Sequence, residues 1–295
     1  MYASEFSTAV MLLKARKREI FGWMWCVVVA CLIATKGFPP LVPTIMSLAA
    51  VFFITASVYV YNDVIDINAD KINKFKSYRP LPSGKVQVKD ALKFVYICGF
   101  VGLAISFFLG LYAFVFTLLY FFLFFFYSYP KIHFKRRFLF KEIIITSGTL
   151  LMTLIGSYAV SGTLSFTAFF ASLITMIFLF TGQPALNDTL DIEADVYQGV
   201  KSLASILSWK RKIQLFITGV LIIMTLTPLT YVQFGFNMLL PIYTVAGGLV
   251  FLRFLFPITE SFELVYYTKI KKGVYVFAIL LQLFSIFGSL NFNII

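Results

Sequence analysis

Nine runs of apolar residues divide the chain, near 20–36, 43–66, 91–110, 112–129, 142–161, 165–187, 212–231, 238–256 and 273–293. A helix rises about 1.5 Å per residue, so runs of about 20 residues match the ~30 Å hydrocarbon core of a bilayer. The pattern predicts an all-α polytopic membrane protein with nine transmembrane helices, the third and fourth parted only by a turn at Gly110. The connectors alternate between strongly basic and nearly uncharged. With the N-terminus inside, every Lys and Arg except Lys36 falls on the inner side, so the positive-inside rule predicts an N-in, C-out chain. All 13 acidic residues share that side, which the rule does not require. Acidic residues gathered on one face place the chemistry there.

Composition narrows the class. Of 295 residues, 60% are hydrophobic and 13% charged, against about 45–50% and 25% in soluble domains. Too few charges remain to cover a water-facing surface, which excludes a soluble enzyme, a disordered chain and a disulfide scaffold. No Gly/Ser linker interrupts the chain, so residues 1–295 read as one domain. Residues 4–19 read as an amphipathic interfacial helix leading into the first span; no small-x-small cleavage pattern follows it. Trp23, Trp25 and several tyrosines are expected at membrane interfaces. Cys26, Cys31 and Cys98 lack C-x-x-C spacing and read as buried apolar residues. His133 is the single histidine, which excludes multi-His zinc sites and bis-His haem. The net charge of +12 fits topology and anionic lipid rather than nucleic acid.

An internal repeat carries the candidate chemistry. Residues 62–70 and 187–195 both read N-D-x-x-D-I-x-A-D, each at the inner end of an apolar run. Asp63, Asp66 and Asp70 fall at i, i+3 and i+7, which on a continuing helix line one face; Asp188, Asp191 and Asp195 repeat the spacing. Such a stripe repels itself and is costly near a membrane unless something positive neutralises it. Hard oxygen ligands suit Mg²⁺, which binds through one or two carboxylates plus water and substrate phosphate. Two facing clusters could hold two ions across one diphosphate. A solvated acidic helix end would explain one copy, but not two at identical spacing.

A diphosphate also needs cations. Arg79, ahead of a rigid Pro80-Leu81-Pro82-Ser83-Gly84 turn, and Lys201, in Gly199-Val200-Lys201-Ser202, are the leading candidates. Lys135 is the first choice in the Tyr127–Arg137 loop, with Arg16 and Arg18 behind it. Lys74, Lys76 and Lys85 read equally well as lipid-headgroup contacts, and His133 as an interfacial residue. The Phe121–Phe126 run is too continuous for one helical stripe and faces mostly lipid or the bundle core, with a minority available to line a pocket.

The constellation resembles the UbiA superfamily of intramembrane prenyltransferases. The carrying residues are Asn62, Asp63, Asp66 and Asp70 with Arg79–Gly84, then Asp188, Asp191 and Asp195 with Gly199, Lys201 and Ser202, and Tyr127-Ser128-x-Pro130. The resemblance implies nine helices around a central cavity, with the aspartates under a cap of inner loops. It also implies Mg²⁺-dependent transfer of a prenyl group from an isoprenyl diphosphate to a lipophilic or aromatic acceptor. In that scheme the six aspartates bind metal, with Asp63, Asp66, Asp191, Arg79 and Lys201 as the catalytic set. Asn62, Arg79, Lys135, Asn187 and Lys201 bind substrate. The site then lies on the cytoplasmic side of the cell membrane. The Asp70–Arg79 step looks like 4-hydroxybenzoate prenyltransferases, the Tyr-Ser-x-Pro pattern like chlorophyll synthases, and Asp70-Lys71-Ile72-Asn73 like geranylgeranylglyceryl phosphate enzymes. Phe75 and Ala194 depart from all three. An ion-coupled transporter is the rival reading, since repeats and membrane carboxylates mark transporters too. Against it, no charge lies near the middle of any predicted span.

Overall fold

The computed structural model describes residues 5–258 and 264–290; the side chains of Asn187, residues 264–266 and Lys269 fall outside the description. Its helices are α1 (Glu5–Ala34), α2 (Leu41–Ile65), α3 (Ile67–Ile72), α4 (Val88–Phe108), α5 (Leu111–Ser128) and α6 (Phe140–Ser161). After these come α7 (Phe166–Gly182), α8 (Asn187–Tyr197), α9 (Leu203–Ile206), α10 (Trp209–Thr230), α11 (Leu239–Leu255) and α12 (Leu264–Ser289). Short 3-10 turns sit at Phe134–Arg136, Gln183–Ala185 and Phe256–Ile258, and every regular element among the described residues is helical. Gly110 (φ +112) makes the sharp α4–α5 turn that a side chain would resist.

Eight segments are long and apolar enough to cross a membrane: those of α2, α4, α5, α6, α7, α10, α11 and α12. The expected first span is the C-terminal half of α1, which runs on unbroken from the basic segment before it. The last 18 residues of α1 include Lys17, Arg18 and Glu19, so this helix is not one of the eight.

α1 holds the bundle together because its inward residues recur at helical spacing. Leu12, Arg16, Ile20, Trp23, Val27 and Cys31 are buried along one side, and Val29 and Ile33 along another. The first stripe reaches the cores built with α2, α4, α5 and α6. The second joins the core of α7, α10, α11 and α12. Trp23 and Trp25, expected at interfaces, pack within this framework. Trp23 Nε1 donates to Tyr59 Oη at 3.0 Å and Trp25 Nε1 to Gln282 Oε1 at 2.6 Å. An indole held by an internal acceptor no longer needs the water boundary. Cys31 and Cys98 are buried and all three cysteines are free, as their apolar setting predicts.

α2 and α4 approach closely at Gly102, where a Cβ would lie 2.8 Å from Ile54 N and 3.1 Å from Ala50 O. Helices in a bilayer associate through such small-residue contacts rather than by excluding water. Gly102→Ala should destabilise the protein by about 1–3 kcal/mol, the usual cost of overpacking. Gly22→Ala, with nothing within 4 Å of the new methyl group, should be neutral or stabilising. Thermal unfolding of both variants in detergent tests this; equal melting temperatures would show that α4 moves away from α2 at no cost.

Candidate active site

The two acidic repeats end up on different scaffolds. Asp66 leaves helical geometry (φ −91, ψ 6) between α2 and α3. The helical hydrogen bonds nevertheless continue, from Asp66 N to Asn62 O at 2.9 Å and from Asp70 N to Asp66 O at 2.8 Å. The second copy is detached from its span. Pro184 and an irregular Leu186 (φ −111, ψ −111) end the turn after α7, and the motif starts a separate helix, α8. Thr189 Oγ1 donates to Pro184 O at 2.7 Å across that break. α3 packs against α8.

Both motifs meet at one cavity of about 150 Å³ at one end of the bundle. Asp66, Asp70, Asp188, Asp191 and Asp195 line it, with Arg16, Lys76, Arg79, Lys135 and Lys141. Its deeper wall is Val58, Tyr59, Phe124, Tyr127 and Ile145. Asp63 stands behind the wall, accepting from Arg16 Nε at 2.8 Å and Arg79 Nη1 at 3.0 Å. Arg79 Nη1 also reaches Asp70 Oδ2 at 3.0 Å. Asp66 pairs with Lys135 and accepts from Asn62 Nδ2 at 2.7 Å. Lys141 bridges Asp188 at 3.1 Å and Asp195 at 2.5 Å, and Lys76 reaches Asp191 at 2.8 Å.

The amides past each motif exchange partners across the repeat. Asn73, three residues beyond Asp70, donates to Asp191 at 3.1 Å. Gln198, three residues beyond Asp195, donates to Asp66 at 2.8 Å. Each motif thus holds the central aspartate of the other. Their equal offset from the repeated motif was the available sequence signal.

Arg79, Lys135 and Asn62 are brought together as their positions in the sequence suggest, and Arg16 joins them while Arg18 points outward. Lys201 does not join. After Gly199 (φ +71) the chain is extended, and successive side chains alternate: Val200 in, Lys201 out to solvent, Ser202 in. Ser202 Oγ, not Lys201, approaches Asp195, at 3.4 Å. Asn187 falls outside the described side chains. Lys76, expected as readily at lipid, is a wall of the cavity. Lys141 carried no signal beyond a charge at the start of an apolar run. His133, expected at an interface, is buried behind Lys135, 8% exposed.

Burial sets the carboxylate energetics. It pushes Asp188 and Asp195 above the ordinary carboxylate range, with Lys141 opposing, and Asp70 likewise, with Arg79 opposing. At Asp66 burial also pushes upward, but Lys135, Gln198 and Asn62 outweigh it and the net shift is downward. Asp188 Oδ2 is buried without a hydrogen-bond partner. Among the described residues no three His, Cys, Asp or Glu side chains converge on one metal position. Mg²⁺ does not require that, because it takes one or two carboxylates and completes its shell with water and phosphate. An all-oxygen donor set with an unpartnered buried oxygen fits such an ion.

The sequence and the fold are both similar to those of known proteins. Digeranylgeranylglyceryl phosphate synthase of Sulfolobus acidocaldarius is 37% identical over 207 residues, 70% of this chain and 71% of its own. A solved structure of a digeranylgeranylglyceryl phosphate synthase superposes with a TM-score of 0.76 at 22% identity, over 98% of this chain and 99% of that one. A UbiA homologue from Archaeoglobus fulgidus, solved with DMAPP and Mg²⁺, gives 0.71 at 16% identity, over 95% and 98%. Residues 23–281 match the UbiA prenyltransferase family. With two acidic motifs facing each other across a cation-lined cavity, the chain belongs to the UbiA prenyltransferase family, as a prenyl-transferring membrane enzyme and not a transporter.

Proposed function

We propose that the protein transfers a geranylgeranyl group from its diphosphate to the free hydroxyl of geranylgeranylglyceryl phosphate, releasing diphosphate. The joint placement of both acidic motifs and five cations around one cavity carries this reading. The acceptor class is supported by the digeranylgeranylglyceryl phosphate synthases that the chain resembles. Asp66 and Asp70 on one side, and Asp188, Asp191 and Asp195 on the other, would hold two Mg²⁺ ions, while Asp63, expected among the ligands, stands behind the wall and holds Arg16 and Arg79 in place. Bound there, the metal supplies charge neutralisation on the leaving diphosphate.

The protein's own groups do the rest. Arg79, Lys76, Lys135 and Lys141 turn from their carboxylates to phosphate oxygens, so positive charge stands where negative charge grows as the allylic C–O bond breaks. Arg16, 5.3 Å over the Tyr59 ring, marks the boundary between the polar end and the aromatic wall. The prenyl carbons lie along Val58, Tyr59, Phe124, Tyr127 and Ile145, where aromatic faces favour a developing cation and water is excluded. The acceptor oxygen bonds to the allylic carbon, the C–O bond to diphosphate breaks with its electron pair, and the hydroxyl proton leaves with the diphosphate. The whole chain, 1–295, acts as one domain, with the site opening to the cytoplasm. The basic connectors at that end support this side.

Purified protein in nanodiscs, given radiolabelled geranylgeranyl diphosphate, the glyceryl phosphate acceptor and Mg²⁺, should form the doubly prenylated ether lipid and diphosphate. Chelation should stop turnover and added Mg²⁺ restore it. An absence of product with both substrates present would overturn the reading. Asp66→Ala should lower turnover by about two to three orders of magnitude, the loss typical of removing one preorganised charge-stabilising group, while the protein stays folded; unchanged turnover would remove Asp66 from the site. Lys141→Met should cost about 3–5 kcal/mol of stability, because two buried carboxylates lose their counter-charge. Added Mg²⁺ should then raise its melting temperature more than that of the parent. Equal Mg²⁺ shifts in the two proteins would contradict metal binding by Asp188 and Asp195.

A further inference from the structure

A second cavity, of about 400 Å³, adjoins the first. It lies between α3, the loop 130–136 and the end of α8. Ala69 and Gln198 line both cavities and form the partition. On the far side stand Asn68, His133, Arg136 and Tyr197, and no carboxylate lines it. His133 shows three unusual features together. Its backbone is left-handed (φ +48), a conformation uncommon outside glycine. Its side chain is almost fully buried, and its Nε2 has no hydrogen-bond partner. Left-handed strain and an unsatisfied buried nitrogen are both costs, and such costs concentrate where a ligand is handled.

The electrostatics indicate the sign of that ligand. Burial, with the charges of Lys135 and Arg136, holds the imidazole down to about 4, against an opposing Asp66. At neutral pH the ring is therefore uncharged, able to donate one N–H, and sits in a field that repels protons and attracts anions. Arg136, exposed at the mouth, adds a forked donor suited to phosphate oxygens.

We propose that this second cavity is a vestibule for inorganic diphosphate, through which the leaving group passes from the reaction cavity to water, with His133 and Arg136 as its contacts and Gln198 as the partition. This rests on the prenyl-transfer reading, because a transferase of this kind must deliver a multiply charged, water-soluble anion from a membrane-embedded site. The reaction cavity holds its cations against carboxylates, so a free anion leaving it needs further donors on the way out. Gln198, whose amide donates to Asp66 in this structure, moves from Asp66 to the departing anion and opens the partition.

The test is calorimetric titration of the full-length protein in detergent with inorganic diphosphate, after saturation with a non-reacting geranylgeranyl thiolodiphosphate and Mg²⁺. Binding of the analogue itself tests the transferase reading. A residual diphosphate site in the analogue-loaded protein tests the vestibule. That site should weaken about tenfold or more in Arg136→Ala, a surface change, and in His133→Asn, since asparagine tolerates the left-handed backbone. Analogue affinity should change less than twofold in both. Inhibition of turnover by added diphosphate should weaken in parallel. No residual site, or one unchanged in both variants, overturns the proposal while leaving the transferase reading intact. Binding of water-soluble short-chain phosphatidylglycerol, but not of diphosphate, would also overturn it, in favour of a lipid headgroup site.

Discussion

Placing six carboxylates at one end of an apolar bundle imposes the constraint on which the rest of this structure depends. A charge moved out of water is expensive unless matched, and here the match is close to one cation per carboxylate. The cations come from widely separated parts of the chain: Arg16 on α1, Lys76 and Arg79 from the loop after α3, Lys135 from the loop after α5 and Lys141 on α6. Charge compensation therefore gathers these elements around one point. Buried ion pairs are weak evidence of stability, since well-packed apolar residues often serve as well. Their retention in such number is better explained by use. On the proposed reaction, metal takes over the carboxylates and diphosphate takes over the cations, so a charge network already assembled exchanges partners and few charges are newly exposed or buried.

The apolar framework makes that network possible by being rigid where it matters. α1 contributes to all four buried clusters, and the same stripe that carries Leu12 and Ile20 into the core presents Arg16 to Asp63. Close contact at Gly102 sets α2 against α4, and α2 delivers the first acidic motif. A shift of this packing would be felt at the ion pairs, because hydrogen-bonded charges lose strength quickly with misalignment.

Residue by residue, the site was partly legible. Spacing was enough to bring five of the six aspartates to one cavity, but it could not tell that Asp63, in the same pattern, stands behind the wall. Position was enough for Arg79, because a proline-rich turn leaves that loop few conformations. It misled at Lys201, where the alternation of an extended segment sends Val200 and Ser202 inward and the lysine out. Lys141, Lys76 and the exchanged amides Asn73 and Gln198 were hidden, because each acts on a residue far away in the chain. Trp23 and Trp25 show the same limit: their acceptors, Tyr59 and Gln282, lie far away in the chain.

The sequence by itself determined the helical membrane class, the gathering of acidic and basic residues at the same ends of the apolar runs, and the duplicated acidic motif. These follow from local quantities: run length, charge count and spacing along one strand of chain. Tertiary structure alone decided which cation meets which carboxylate, that Asp63 stands behind the cavity wall while Asp66 faces it, and that a second cavity lies across Gln198. Those outcomes depend on how separate helices pack, and pairing between distant charges is set by that packing and by burial, neither of which a linear pattern contains.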